Sequence, residues 1–127
     1  MKIFGVGVDL IDNNRIKLSI KNKSFLTRTF SSDEIKNSNK VKNKSNYFAK
    51  KFAAKESLAK AIGTGFRNNL NFKDIQILND FNGKPYYLKT KKINDIIHQK
   101  FKIKKYNLFL SISDEKDYSI AFTIIQK

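Results

Sequence analysis

The spacing of apolar and polar residues divides the chain into short elements. Residues 2–10 alternate as a strand does, with Phe4, Val6 and Val8 on one face and Ile3, Gly5, Gly7 and Asp9 on the other. The second face is nearly bare, so another segment can approach that backbone closely, and Asp9 ends the row with a carboxylate. Asp12 or Asn13 can cap a helix running from near Asn14 toward Lys21. Residues 24–30 predict a short helix that buries Phe25 and Phe30, and Ser31 to Glu34 has capping-box spacing. Residues 36–45 are polar apart from Val41 and predict a mobile loop.

The strongest helical signal runs from Tyr47 to Ile62, with Ser45 or Asn46 as cap and Gly63 as its stop. Phe48, Phe52, Ala59 and Ile62 recur at helical spacing and should face a core. Glu56 and Lys60, four residues apart, share a face. Residues 72–79 predict a strand with Ile75 and Ile77 inward. The turn Asp80-Phe81-Asn82-Gly83 and the extended run Pro85 to Leu88 complete a hairpin. A helix over 91–100 carries Ile93, Ile96 and Ile97. Two strands, 106–113 and 118–126, are joined by Asp114 to Asp117. The order of elements predicts an α+β fold in a single domain over residues 1–127, with no internal repeat.

Composition narrows the chemistry. The chain has 127 residues, 40% of them hydrophobic, with eleven Phe and five Tyr. That excludes a disordered basic tail. There is no cysteine and one histidine, His98, in a polar part of its helix. Thiolate sites, His-clustered metal centres and thiol nucleophiles are therefore excluded, and His98 is expected at the surface. The formal charge is +15, and all but three of the 26 basic residues are lysine. Such an excess suits an anionic partner, yet the scarcity of Arg argues against bidentate base reading and for a general drift toward lysine. No signal segment or apolar run of membrane-spanning length is visible, so the expectation is a soluble, cytoplasmic protein.

Acid–base and metal chemistry must then come from carboxylates and lysines. Most acids lie in turns or caps, but Asp9 ends an apolar strand and Glu56 sits inside a Lys-rich helix. Two readings of this pair stand side by side. Either Asp9 caps a turn and Glu56 pairs with Lys60, or two oxygen donors on different elements hold Mg²⁺ with a bound phosphate, Lys60 adding positive charge. Gly5-Val6-Gly7 lacks the third glycine of a dinucleotide fingerprint. Gly63-Thr64-Gly65 is either a helix stop or a close backbone approach to a phosphate.

These residues resemble a known family. Gly5-Val6-Gly7-Val8-Asp9-Leu10-Ile11 with Arg15-Ile16, the helix Phe52-Ala-Ala-Lys55-Glu56-Ser-Leu-Ala-Lys60-Ala-Ile-Gly63-Thr-Gly65, Asn82-Gly83-Lys84-Pro85, and Leu110-Ser-Ile-Ser113 with Tyr118-Ser-Ile-Ala-Phe122 occur in order along nearly the whole chain. Together they look like the motifs of bacterial holo-[acyl-carrier-protein] synthases, the small 4'-phosphopantetheinyl transferases. The resemblance implies an antiparallel sheet packed around a long central helix, and transfer of the 4'-phosphopantetheine arm of coenzyme A to a serine of apo acyl carrier protein. It implies release of adenosine 3',5'-bisphosphate, dependence on Mg²⁺, and a role in fatty acid biosynthesis. Carried over, Asp9 and Glu56 would ligate Mg²⁺ and Lys60 would face the pyrophosphate. Lys51, Gly65, Lys84 and Pro85 would cradle coenzyme A, and Arg15 would dock the carrier. A homotrimer with sites between subunits is implied, with neither nucleic acid nor membrane as partner. Two positions depart from the family: Asp114 stands where His is usual, and Lys51 where Arg is common. The alternative is a non-catalytic basic module for nucleic acid or carrier protein, which leaves Asp9 and Glu56 without a task.

Overall fold

Asp12 closes strand β1 (Ile3–Asp12) and opens helix α1 (Asn13–Ser19), its carboxylate accepting the Asn14 amide at 2.8 Å. The structure is a computed structural model that describes residues 1–67 and 69–127. Helix α2 (Lys23–Thr29) follows under an Asn22 cap, then α3 (Ser32–Asn37) under the expected capping box of Ser31 and Glu34. The polar segment 36–45 is not the loop its composition predicts. It finishes α3, makes a short 3₁₀ turn over Ser38–Lys40, and begins α4 (Lys44–Ile62). Asn43 supplies the α4 cap by accepting from the Asn46 amide at 3.1 Å, so the long helix starts three residues before the expected Tyr47. Asn and Ser compete with helix inside it but favour its start, which is what this segment uses them for.

After Gly63, left-handed at φ +89°, the chain makes a 3₁₀ turn at Phe72–Asp74 where a strand was expected. Strand pairing is confined to β2 (Ile77–Asn79) with β3 (Pro85–Tyr87). Helix α5 (Lys91–Phe101) buries Ile93 and Ile97, and β4 (Asn107–Asp114) and β5 (Tyr118–Gln126) form the closing hairpin. The main sheet has the order β1-β5-β4, antiparallel throughout. Helix α4 crosses one face of it, against β1 and β5, and α1 packs against α4.

The approach of α4 explains the glycines of β1. A Cβ on Gly5 would collide with the carbonyl oxygen of Ala61, and one on Gly7 with that of Ser57. The bare strand face therefore receives a helix backbone. A register shift between Ile3 and Gly5 breaks the period-two reading: Phe4 packs toward the core beside Phe101, and Ile3 turns outward. Helix α4 is buried on nearly every side. Its core positions include the expected Phe48, Phe52, Ala59 and Ile62, but also Lys51 and Lys55, which the sequence places on a basic surface. A hydroxyl cluster sits behind Gly7: Thr123 Oγ1 lies 2.6 Å from Ser57 Oγ and 2.7 Å from the Tyr87 hydroxyl, which donates to Ala54 O at 2.6 Å.

The opposite sheet face is apolar and exposed. Val8 lies across from Phe122 and Leu10 across from Ile120, with Val6 and Phe109 beside them. No helix among the described residues is long and apolar enough to cross a membrane. Replacing Gly7 with Ala is expected to lower stability by about 3 kcal/mol, because the methyl group must push helix backbone rather than a flexible side chain. Urea unfolding of the variant and the parent measures this.

Candidate active site

Asp9 is carried to the end of the glycine row of β1, and the closeness of α4 at Gly7 brings the helix face bearing Glu56 and Lys60 up to it. Lys60 Nζ donates to Asp9 Oδ1 at 3.1 Å and to the Val8 carbonyl at 3.0 Å. Asp9 and Glu56 are both half-buried. Burial is the main influence raising the pKa of the Asp9 carboxyl, with the Lys60 hydrogen bond and charge and the Arg15 charge acting against it. The Glu56 carboxyl is raised by burial and then by the negative charge of Asp9, and lowered by Lys60 and Arg15. Asp9, Glu56 and Lys60 thus lie together, and Arg15, which the resemblance assigned to carrier docking, is near enough for its charge to act on both acids.

Arg15 and Glu56 also line a cleft of about 600 Å³ with Phe25, Arg28, Phe52 and Phe66. Its aromatic wall was not legible in the sequence, where the Phe residues read as core. Phe25 is only half-buried, contrary to the expectation, because one side of its ring faces this cleft. These residues come from separate segments that only the fold assembles, so no spacing links them. Gly65, left-handed at φ +62°, stands just before Phe66 at one edge of the cleft.

Lys51 and Pro85 lie elsewhere. With Tyr47, Lys50, Gly83 and Asp114 they line a second cavity of about 180 Å³, which shares no lining residue with the cleft among the described residues. Lys84 is exposed on the hairpin and does not line it. Asp114, standing where a His was expected, accepts from Asn46 Nδ2 at 3.3 Å and has Lys50 and Lys51 around the same cavity, so its charge is not uncompensated. Lys51 points inward rather than outward. It is 6% exposed, its Nζ donates to the Ile77 carbonyl at 2.9 Å, and burial pushes its pKa down to about 8 against the pull of Glu34.

Beneath this cavity lies a cluster that the sequence did not reveal. Lys55 and Glu34, 0% and 2% exposed, pair at 2.8 Å. Lys55 Nζ spends its other two donors on the carbonyls of Phe72 and Ile75, and Glu34 also accepts from the amides of Ser31 and Ile77. All three donors of the ammonium are satisfied, which is the condition for burying it. His98 is exposed, as expected.

Comparison with known proteins follows the same lines. The model of the 4'-phosphopantetheinyl transferase superfamily matches residues 5–123. A holo-[acyl-carrier-protein] synthase of Pelagibacter ubique is 56% identical over 127 residues, covering 100% of this chain and 99% of that one. The crystal structure of holo-[acyl-carrier-protein] synthase from Neisseria meningitidis superposes with a TM-score of 0.87 at 33% identity, covering 99% of this chain and 100% of that chain. A holo-(acyl-carrier-protein) synthase from Bacillus anthracis, solved in complex with CoA (3',5'-ADP), superposes with a TM-score of 0.80 at 29% identity, covering 98% and 96%.

The depressed pKa of Lys51 gives a stability signature. Between about 8 and the ordinary 10.5 the folded chain holds fewer protons at this group than the unfolded chain, so its contribution to stability rises with pH across that window. Lys51→Met removes the effect. From pH 7 to pH 10, the stability of the parent relative to this variant should rise by about 2 kcal/mol, read by urea unfolding of both at each pH.

Proposed function

The chain belongs to the 4'-phosphopantetheinyl transferase superfamily, and on that premise we propose that it transfers the 4'-phosphopantetheine arm of coenzyme A to a serine of an apo acyl carrier protein. The observation that carries this reading is the meeting of Asp9, Glu56 and Lys60, from one strand and one helix, in an otherwise basic chain. The carrier serine hydroxyl gives up its proton to solvent, and its oxygen forms the new bond to the phosphorus bearing the arm. The bond from that phosphorus to the bridging oxygen breaks, and adenosine 3',5'-bisphosphate leaves.

The donor set fits a Mg²⁺ ion. Two half-buried carboxylates repel each other and already draw an ammonium to themselves, and Mg²⁺ takes one or two carboxylates, leaving its other positions to water and phosphate. Asp9 and Glu56 would hold it. When bound, the ion supplies positive charge to the pyrophosphate as the bridging bond breaks. The residues of the chain do the rest. Lys60, on a flexible stem at the mouth of the site, neutralises the charge gathering on the leaving bisphosphate. Arg15, with Arg28, gives the cleft a basic rim that suits an acidic carrier. Lys51 and Pro85 serve coenzyme A in the smaller cavity, with Lys84 exposed on the hairpin beside it and Gly65 at the edge of the larger cleft.

A site between copies of this chain accommodates both cavities, which do not meet within one chain. The apolar sheet face supports the same conclusion: Val6, Val8, Leu10, Phe109, Ile120 and Phe122 form a patch whose burial a homotrimer would provide. We place this single domain in the cytoplasm and in fatty acid biosynthesis, where coenzyme A and acyl carrier protein meet.

Two experiments test this. Incubated with Mg²⁺, coenzyme A and apo carrier protein, the chain should add one phosphopantetheine mass to the carrier. Absence of that gain at any enzyme concentration refutes the reading. Asp9→Ala and Glu56→Ala should each slow the gain by about 10²–10³-fold while the melting temperature stays near that of the parent. For the assembly, Phe122→Glu places a charge in the middle of the apolar face. Sedimentation velocity should show trimers for the parent and monomers for this variant.

A further inference from the structure

The bond between Lys60 and Asp9 joins two groups that the proposed reaction needs apart. The carboxylate that would hold a metal ion accepts from the ammonium at Oδ1, at 3.1 Å, and the Val8 carbonyl accepts a second N–H at 3.0 Å. The Lys60 side chain is 54% exposed and that of Asp9 14%. The ammonium thus approaches from the solvent side and covers a carboxylate that the fold has mostly enclosed. Such a pair is weak and easily exchanged. A doubly charged ion held by Asp9 would repel the ammonium, and the four-carbon stem would let it swing back toward solvent, where a pyrophosphate would receive it.

We propose that Lys60 is a latch on the metal-binding carboxylate, and that it couples the binding of a divalent cation to the binding of coenzyme A. This rests on the reading above that Asp9 and Glu56 hold a divalent cation. Without nucleotide, the ammonium competes with the metal for Asp9. The coenzyme A pyrophosphate offers Lys60 a better partner and draws it away. Metal and nucleotide then favour the same position of Lys60, so each strengthens the other's binding by an equal factor. The residue that stabilises the leaving group also keeps the metal site closed until the substrate bearing that group has arrived.

The test is a titration of Mn²⁺, followed by electron paramagnetic resonance, into the parent, Lys60→Met and Lys60→Gln, with and without coenzyme A. Lys60 is half exposed and, among the described residues, its ammonium bonds Asp9 and the Val8 carbonyl alone, so both variants should fold, which circular dichroism checks. Without coenzyme A, both variants should bind Mn²⁺ about tenfold tighter than the parent. Coenzyme A should then tighten Mn²⁺ binding by a larger factor in the parent than in either variant. Variants that bind Mn²⁺ no tighter than the parent overturn the latch. A second readout uses the side-chain ammonium resonances of ¹⁵N-lysine protein, with Lys60 identified by the peak that Lys60→Gln removes. That peak should shift when Mg²⁺ saturates the protein, and a peak that stays in place overturns the latch. The mass-gain assay separates the two readings. If the carrier gains mass but the variants bind Mn²⁺ no tighter, the latch falls and the transferase stands. If the variants bind tighter but no carrier gains mass, the latch stands and the transferase falls.

Discussion

The close approach of helix α4 to strand β1 is the constraint from which the site follows. Gly5 and Gly7 leave the strand without side chains where the helix backbone passes, at the carbonyls of Ala61 and Ser57. Only at that separation does one face of the helix, bearing Glu56 and Lys60, reach the carboxylate at the end of the strand. A larger residue at either glycine would lift the helix and take Glu56 away from Asp9 before altering any residue of the site. The glycines act here by close approach and not by an unusual backbone angle.

Holding a helix in that position requires burying it almost completely, and a helix with three lysines between Lys50 and Lys55 is an unpromising candidate. The fold resolves this by giving every buried polar group a partner. Lys55 is matched by Glu34 and two carbonyls, Lys51 by the Ile77 carbonyl, and Ser57 by Thr123 and Tyr87. Among the described residues no buried side-chain polar atom lacks a hydrogen bond. These bonds are also the cross-links that fix α4 to α3, to β2 and β3, and to β5, so the same groups that would otherwise destabilise the core determine where the helix lies.

The charge of the chain is divided by this arrangement. Lys55 is neutralised inside the core by Glu34 and Lys51 faces only the smaller cavity, while Arg15 and Arg28 line the cleft with Glu56, and Lys60 pairs with Asp9. An anionic partner is therefore drawn to a place where positive charge surrounds a small negative centre. That contrast is sharper than the +15 total suggests, since a uniform basic surface would attract polyanions without orienting them.

The sequence by itself determined the α+β class, the caps at Asp12 and Ser31, the strand that ends in Asp9, and the long helix with Glu56 and Lys60 on one face. Each of these is local: a period, a capping side chain or a turn residue acts within a few positions, and its signal survives in the order of residues. The same locality explains the errors. Residues 36–45 looked like a loop because Asn, Ser and Lys are ambiguous between loops and helix starts, and Phe4 was placed on the wrong face because a bulge shifts the register by one. Only the tertiary structure decided that Lys51 and Lys55 turn inward, since their acceptors, Glu34 and the carbonyls of Phe72, Ile75 and Ile77, lie 17 to 26 residues away in the chain. It alone decided that four phenylalanines read as core would wall a cleft, that the smaller cavity would stand apart from the acids, and that Lys60 would rest on Asp9 and not merely beside Glu56. Burial and long-range pairing depend on what packs against a residue, and that is settled by contacts between segments whose separation in sequence carries no trace of their meeting.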